Sequence, residues 1–283
     1  MIISRLNGGL GNQMFQYALG RSLALKHNTN LGLDISSYHL GGGVTQRKFA
    51  LDDFTIDSET VDLSDHKPND GITQYLQRFY PYYRRNEIQE RTFNFDPNIL
   101  KASRECILTG YWQSEKYFKE AESVIRRDFS FKKLVYLHLE KTSSDIENSH
   151  SVSIHFRRGD YVENEQVNKI HGVCDFDYYM GALKILNAKY SDLKLFVFSD
   201  DIQWVMTNFE IGQEIDFIDT GSDTSDMYLM SLCKHHIIAN SSFSWWGAWL
   251  GRFSDKTVIA PKSWFKTTAR KTDDLLPPSW IRI

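Results

Sequence analysis

From residue 151 to residue 260 the chain alternates short apolar runs with stretches whose apolar residues recur at helical spacing. This alternation constrains the fold more than any other feature. A strand followed by a helix brings the chain back to the same sheet as a parallel neighbour. The period-2 and 3.6-residue patterns predict strands at 152–156, 194–198, 215–218, 236–239 and 257–260. Helices are predicted at about 177–189, 202–208, 226–233 and 243–250, the last stopped by Gly251. Near-continuous apolar strands of this kind belong to a parallel sheet covered on both faces.

The first half opens in the same way. Residues 2–6 read as a strand, 7–13 as a glycine-rich turn, 15–26 as a helix and 31–35 as a second strand. Further on, 105–109 reads as a strand, and 117–127 and 135–146 as helices. Gly41-Gly42-Gly43 reads as a flexible loop, and residues 74–91, rich in Tyr, Arg and Phe, have no settled period. That cluster fits half-buried packing or contact with a ligand. The polar Asn148-Ser149-His150 interruption sets the expected boundary between domains 1–150 and 151–283.

Composition excludes several classes. A formal charge of −3 argues against a general nucleic-acid binder, so any basic site must be local. No apolar run reaches the roughly 18 residues of a membrane helix, and the N-terminus lacks the order of a signal peptide. Cys106, Cys174 and Cys233 have no metal-like spacing, which fits free thiols in a reducing compartment. A cytoplasmic protein, with peripheral membrane contact left open, is the expectation.

The stretch 151–162 carries the chemistry. Val152, Ile154 and Phe156 alternate with Ser153, His155 and Arg157, so His155 and Arg157 share one face of the strand. Arg158, Gly159 and Asp160 follow. Two arginines at the carboxyl end of a parallel strand stand where open α/β sheets bind ligands. Guanidinium groups pair with phosphate through two parallel hydrogen bonds, so a phosphate or pyrophosphate site is one reading. Arginines paired with surface carboxylates are the other.

Three more segments fall at strand carboxyl ends: Gly8 to Gln13, Ser199-Asp200-Asp201, and Asn240-Ser241-Ser242-Phe243-Ser244. Gly8, Gly9 and Gly11 depart from the dinucleotide spacing, yet glycines before a helix start still admit an anion, and the Asn12 and Gln13 amides suit a sugar or phosphate. Asp200 or Asp201 reads equally as a ribose ligand or a helix cap, with Asp200 the expected acceptor in the capping case. Asn240 to Ser244 forms a polar turn into a helix, able to hold phosphate oxygens. Trp245, Trp246 and Trp249 read as core. Asp175-Phe176-Asp177 matches the Asp-x-Asp of metal-dependent sugar transferases, although a helix start accounts for Asp177 as well. His235-His236 has no partner at zinc-ligand spacing.

Three motifs, Gly8-Gly-Leu-Gly-Asn-Gln-Met-Phe-Gln16, His155-Phe-Arg-Arg-Gly-Asp-Tyr-Val162 and Ser241-Ser-Phe-Ser-Trp-Trp-Gly247, stand in this order through the chain. Together they resemble the bacterial α-1,2-fucosyltransferases of glycosyltransferase family 11. The resemblance implies a GT-B-like α/β fold of two Rossmann-like domains facing across a cleft. The second domain would bind GDP-fucose and the first would meet the acceptor. It implies an inverting transfer of L-fucose to the 2-hydroxyl of a galactosyl residue, with no cofactor and no required metal. The acceptor would be a galactose-terminated glycan, free or lipid-linked. Residue by residue, Arg157 would meet the donor β-phosphate, Asn12 would reach the donor from the opposite domain, and Ser242, Phe243 and Ser244 would bind the pyrophosphate. His155, Arg158, Ser199, Asp200, Asn240, Ser241 and Gln13 complete the expected donor site. Arg158 is the arginine expected to brace the loop or to pair with a carboxylate such as Asp160.

Catalysis then falls to Arg157, with Asp160 and Glu165 as further catalytic candidates. Glu165 matches the position of a glutamate that related fucosyltransferases place five residues after the motif aspartate. Glu163 and His171 lie in the same loop, and some relatives lack a base. A non-catalytic sugar- or nucleotide-binding module and a Rossmann-type oxidoreductase are the rival classes. The broken glycine spacing disfavours the second.

Overall fold

The computed structural model describes residues 1–39, 47–64, 75–163, 165–266 and 271–283. The loop Gly41-Gly42-Gly43 and the side chains of Asp160, Glu163 and residues 165–167 lie outside the described residues. The chain forms two units, Met1–Ser130 with Lys271–Leu275, and Phe131–Arg270 with Leu276–Ile283.

The first unit holds strands β1 (Ile2–Arg5), β2 (Leu31–Asp34), β3 (Glu59–Val61), β4 (Glu87–Gln89) and β5 (Cys106–Thr109). They form one sheet in the order β3-β2-β1-β5-β4, every pairing parallel. The edge strands β3 and β4 have three residues each and carry polar side chains, too short and too polar for a period-2 signal. The helix Leu10–His27 starts five residues before the predicted start, with Gly9 as its N-cap, so Asn12 and Gln13 lie in its first turn. Its buried face includes Phe15, Tyr17 and Leu19.

The second unit contains β6 (His150–Phe156), β7 (Leu193–Ser199), β8 (Ile215–Ile218), β9 (His235–Ile237), β10 (Val258–Ala260) and β11 (Ile281–Arg282). Their order is β11-β10-β9-β6-β7-β8, again with parallel pairings throughout. One face packs on a cluster that includes Val152, Ile154, Phe156, Leu183, Leu195 and Val197. The other packs on Phe196, Phe198, Leu229, Met230 and Cys233. This is the two-sided burial that apolar parallel strands require.

The division between units falls before the helices Lys133–Tyr136 and Glu140–Asn148, not at the polar stretch 148–150. Leu139, the N-cap of the second helix, and Ile146 within it are buried in the cluster around Phe196 and Phe198. Ser225 Oγ also donates to the Val135 carbonyl at 3.0 Å. The stretch after Arg158, read as a loop, instead forms two short helices, Gly159–Glu163 and Glu165–Ile170. Among the described residues no helix is long and apolar enough to cross a membrane.

Candidate active site

Parallel register builds the site. Phe156 at the end of β6 pairs with Ser199 at the end of β7, so the next residues, Arg157 and Asp200, emerge side by side. Arg157 Nη1 lies 2.8 Å from Asp200 Oδ2, and the two side chains are 16% and 25% exposed. The other carboxylate oxygen accepts from the Arg158 backbone N–H at 2.8 Å. Asp200 thus holds both the guanidinium and the backbone that carries it. Gly159 makes room for this carboxylate, since a Cβ there would fall 2.5 Å from Asp200 Oδ2.

Arg158 turns into its own unit. Its guanidinium carbon lies 3.2 Å from the Trp204 ring centroid, and its Nε lies 3.3 Å from Asp201 Oδ2. Asp201, not Asp200, caps the helix Ile202–Asn208 by accepting from Trp204 N–H at 3.4 Å. Ser199 Oγ accepts from Asp201 N–H at 3.0 Å. The sequence left cap and ligand open for the two aspartates. The fold divides the work between a cap and an arginine clamp.

His155 lies beneath this arrangement, 3% exposed, with its ring 5.3 Å from the Phe243 ring. Burial first, and the charge of Arg157 second, push its pKa down to about 3, so the imidazole is neutral at pH 7. Its Nδ1 is buried and has no hydrogen-bond partner among the described residues. Tyr179 hydroxyl donates to the His155 carbonyl at 3.0 Å, and Tyr179 stacks on Phe156 with centroids 3.9 Å apart. These contacts keep the end of β6 rigid.

Two residues beyond β9, the polar turn enters the helix Ser242–Leu250. Ser241 is its N-cap, accepting from Phe243 N–H at 3.3 Å. Ser242 and Phe243 are half-buried in the first turn, whereas Ser244 is fully buried and its hydroxyl donates to the Ala239 and Ser241 carbonyls. Asn240 is 2% exposed, and its amide donates to the carbonyls of His171, Gly172 and Trp264. Asn240 and Ser244 thus hold the turn in shape with the groups expected to meet the donor. What the turn offers a ligand is the positive end of a nine-residue helix.

In the first unit, Gln13 is turned inward rather than toward a ligand. It is fully buried, donating to the Gly8 and Lys48 carbonyls and accepting from Ala50 N–H, so its amide is spent inside the unit. Asn12 accepts from Gln113 Nε2 at 2.7 Å. Asp175 caps the helix Phe176–Lys189 through Tyr178 N–H at 2.9 Å, and Asp177 sits in the first turn. The Asp-x-Asp match is therefore a helix start. Trp245, Trp246 and Trp249 are core, as read.

A cavity of about 510 Å³ in the second unit is lined by His171, Cys174, Asp175, Asn240, Phe265 and Lys266, among others. Asp226, apart from these residues, is a half-buried acid that no motif contains. It lies in the first turn of the helix Asp223–Leu232 after β8, and accepts from Thr220 N–H and Oγ1 at 3.2 and 2.7 Å. Burial raises its pKa to about 6.

The model of glycosyl transferase family 11 matches residues 51–283. The chain is 37% identical to an alpha-1,2-colitosyltransferase of Escherichia coli, over 100% of this chain and 99% of that one. It is 33% identical to the O-antigen biosynthesis glycosyltransferase WbnK of Escherichia coli, over 99% of each. Similarity extends to the galactoside 2-alpha-L-fucosyltransferase Sec1 of Mus musculus, at 26% identity over 100% of this chain and 74% of that one. Among solved structures, the fucosyltransferase NodZ from Bradyrhizobium superposes with a TM-score of 0.51 at 15% identity, covering 87% of this chain and 91% of that one. POFUT1 in complex with GDP superposes with a TM-score of 0.53 at 11% identity, covering 92% and 97%. At such identities the structural likeness speaks for the fold alone. The chain belongs to glycosyltransferase family 11, built on the parallel α/β architecture of GT-B glycosyltransferases.

Proposed function

We propose that this enzyme transfers L-fucose from GDP-fucose to the 2-hydroxyl of a galactosyl residue in a glycan, with inversion and without a metal. The observation that carries the reading is Arg157, fixed at the carboxyl end of β6 by Asp200. As the glycosyl bond breaks, negative charge grows on the β-phosphate of the departing GDP. A guanidinium whose orientation is already set stabilises that charge without reorganising. The helix start at Ser242 and Phe243 supplies a second, dipolar source of the same sign. On the opposite face of the sugar, a galactosyl oxygen attacks the anomeric carbon and loses its proton to Asp160, Glu165 or solvent. Neutral His155 adds no charge beneath Arg157.

The full-length similarity to enzymes named for α-1,2 transfer supports the linkage, and the galactoside named for the mouse relative supports the acceptor. The O-antigen enzyme among the relatives supports a cytoplasmic location at the inner membrane, with a lipid-linked glycan as acceptor. Donor binding is proposed for the second unit, Phe131–Arg270 with Leu276–Ile283, and acceptor recognition for the first. One specific observation favours a second donor. The relative at 37% identity is a colitosyltransferase, and colitose is L-fucose without its 3-hydroxyl.

The test is direct. Purified protein is given GDP-fucose and a β-galactoside, with and without EDTA, and the product is analysed by NMR. An α-1,2-fucosyl product formed equally in both carries the reading. Transfer from a colitosyl donor at a kcat/KM at least tenfold above that of GDP-fucose moves the donor assignment to colitose. Loss of turnover in EDTA, rescued by Mn²⁺, overturns the metal-free mechanism.

A further inference from the structure

The first unit has a basic cavity that the donor chemistry leaves unused. Its volume is about 660 Å³, within the range of small-molecule sites, and its lining includes Arg5, Arg78, Arg85 and Arg91. The cavity lies at the carboxyl edge of the first sheet. Arg5 ends β1, Thr109 ends β5, and Gln89, Glu90 and Arg91 end or follow β4. That edge is where open parallel sheets receive ligands.

The charges there are not equally available. Arg5 is paired with buried Asp34 at 2.9 Å. Glu90 accepts from the backbone N–H groups of Tyr111 and Trp112 at 2.8 and 3.0 Å, which fixes it as a structural anchor. Glu87 is the other acid in the lining. Among the described residues none of Arg78, Arg85 and Arg91 is in an ion pair. Arg91 lies 3.8 Å over the Tyr82 ring, and Arg85 Nε donates to the Tyr80 carbonyl at 3.3 Å, so both guanidinium groups are held in place. Phe79 and Tyr80, next in the chain to Arg78, are 73% and 54% exposed. A chain with net charge −3 therefore places in one cavity, flanked by aromatic rings, three guanidinium groups that no carboxylate among the described residues neutralises.

We propose that this cavity binds a phosphate-bearing part of the acceptor, a diphosphate ester at the reducing end of the glycan. Planar guanidinium groups match phosphate oxygens in pairs, and three of them suit a diphosphate better than a single carboxylate. The proposal rests on the transferase reading above, since it assigns the acceptor to that reaction.

The experiment uses the full chain with saturating GDP, so that a second diphosphate cannot report on the donor site. Calorimetry compares an alkyl diphosphate-linked galactoside, the same galactoside without the diphosphate, and inorganic pyrophosphate. The wild type is expected to bind the diphosphate galactoside at least tenfold more tightly than the neutral one, with pyrophosphate intermediate. Arg85→Gln and Arg91→Gln should each remove most of that preference, while Arg85→Lys keeps part of it. In turnover the same variants should raise KM for the diphosphate acceptor and leave kcat and KM for the neutral galactoside unchanged. Equal binding of the two galactosides, or a preference that survives both glutamine variants, overturns the proposal. So does loss of binding to anionic phospholipid vesicles with diphosphate-galactoside affinity intact, because the arginines would then serve a membrane surface. Absence of transfer to any galactoside would refute the transferase reading, while the calorimetric result would still decide the cavity.

Discussion

Asp200 reaches across from β7 to hold Arg157 at the end of β6, with Nη1 and Oδ2 2.8 Å apart, while its other oxygen holds the backbone of Arg158. One carboxylate therefore sets both the side chain of Arg157, expected to meet the leaving phosphate, and the main chain of the residue that follows it. It also lowers the net charge of the pair. What Arg157 contributes is directed hydrogen bonding more than raw field.

Removing the guanidinium should cost turnover without unfolding the chain. Arg157→Ala is expected to lower kcat by about 10²–10³, the range found for losing one donor that stabilises developing charge. Thermal unfolding followed by circular dichroism should stay cooperative with a modest loss of stability, because the side chain is 16% exposed and its removal leaves Asp200 without its ion-pair partner. Turnover within tenfold of wild type in a folded variant would exclude Arg157 from the chemistry.

Gly159→Ala probes the same clamp from the other side. The added Cβ would fall 2.5 Å from Asp200 Oδ2 and push the carboxylate off its partners. A shift of about 1 Å in a catalytic group costs up to about 10²-fold in rate. The expected result is a fall in kcat with a stability loss below about 1 kcal/mol, as for other substitutions on a half-exposed segment. An unchanged kcat would show that the clamp does not matter.

Stability should fall as pH drops below about 6.5. Burial first of all depresses the pKa of His155 to about 3 and of His235 to about 4, and lowers that of His236 well below its ordinary value. Ser153 Oγ lies 2.7 Å from His236 Nδ1, and Thr257 N–H donates to His235 Nδ1 at 3.1 Å. Between pH 6.5 and these folded values the unfolded chain takes up protons that the native chain refuses. Each histidine then removes about 1.4 kcal/mol per pH unit. Urea midpoints at pH 7.5, 6 and 5 should decline steadily, and His236→Gln should flatten the decline.

Asp226 predicts the opposite trend within the same window. Its folded pKa of about 6 lies above the unfolded value, so its contribution is fully present below about pH 4 and is lost as pH rises to 6. Asn keeps an oxygen for Thr220 and carries no charge. Asp226→Asn should stabilise the protein at pH 7.5 by about 1–2 kcal/mol, discounted for partial exposure, and have no effect near pH 3.5. A destabilised variant at pH 7.5 would show that the charged form is required.

A buried ion pair supports the first unit. Asp128, 3% exposed, accepts from Tyr17 hydroxyl at 2.8 Å and from Arg21 Nε at 2.9 Å. Asp128→Ala leaves the buried Tyr17 hydroxyl without its acceptor and Arg21 with Asp57 alone, 2.6 Å away, and should cost about 1–3 kcal/mol in denaturant unfolding. Asp128→Asn should cost less, since its oxygen can still accept.

The repeated strand-and-helix order, the parallel sheets, the tryptophan core and the place of Arg157 at the end of a strand were all legible in the residues themselves. Each rests on local periodicity or on a motif, and short-range patterns survive without knowledge of neighbours. The partners were not legible. That Asp200 clamps Arg157 follows from the register of β6 against β7, and register joins residues 43 apart in the pair Phe156 and Ser199. The burial of Gln13 under residues 48–50, and of Asn240 under residues 171, 172 and 264, likewise depends on chain crossings that no local pattern encodes. The same polar side chain can bind a ligand or hold a loop, and only its burial and its filled hydrogen bonds separate the two.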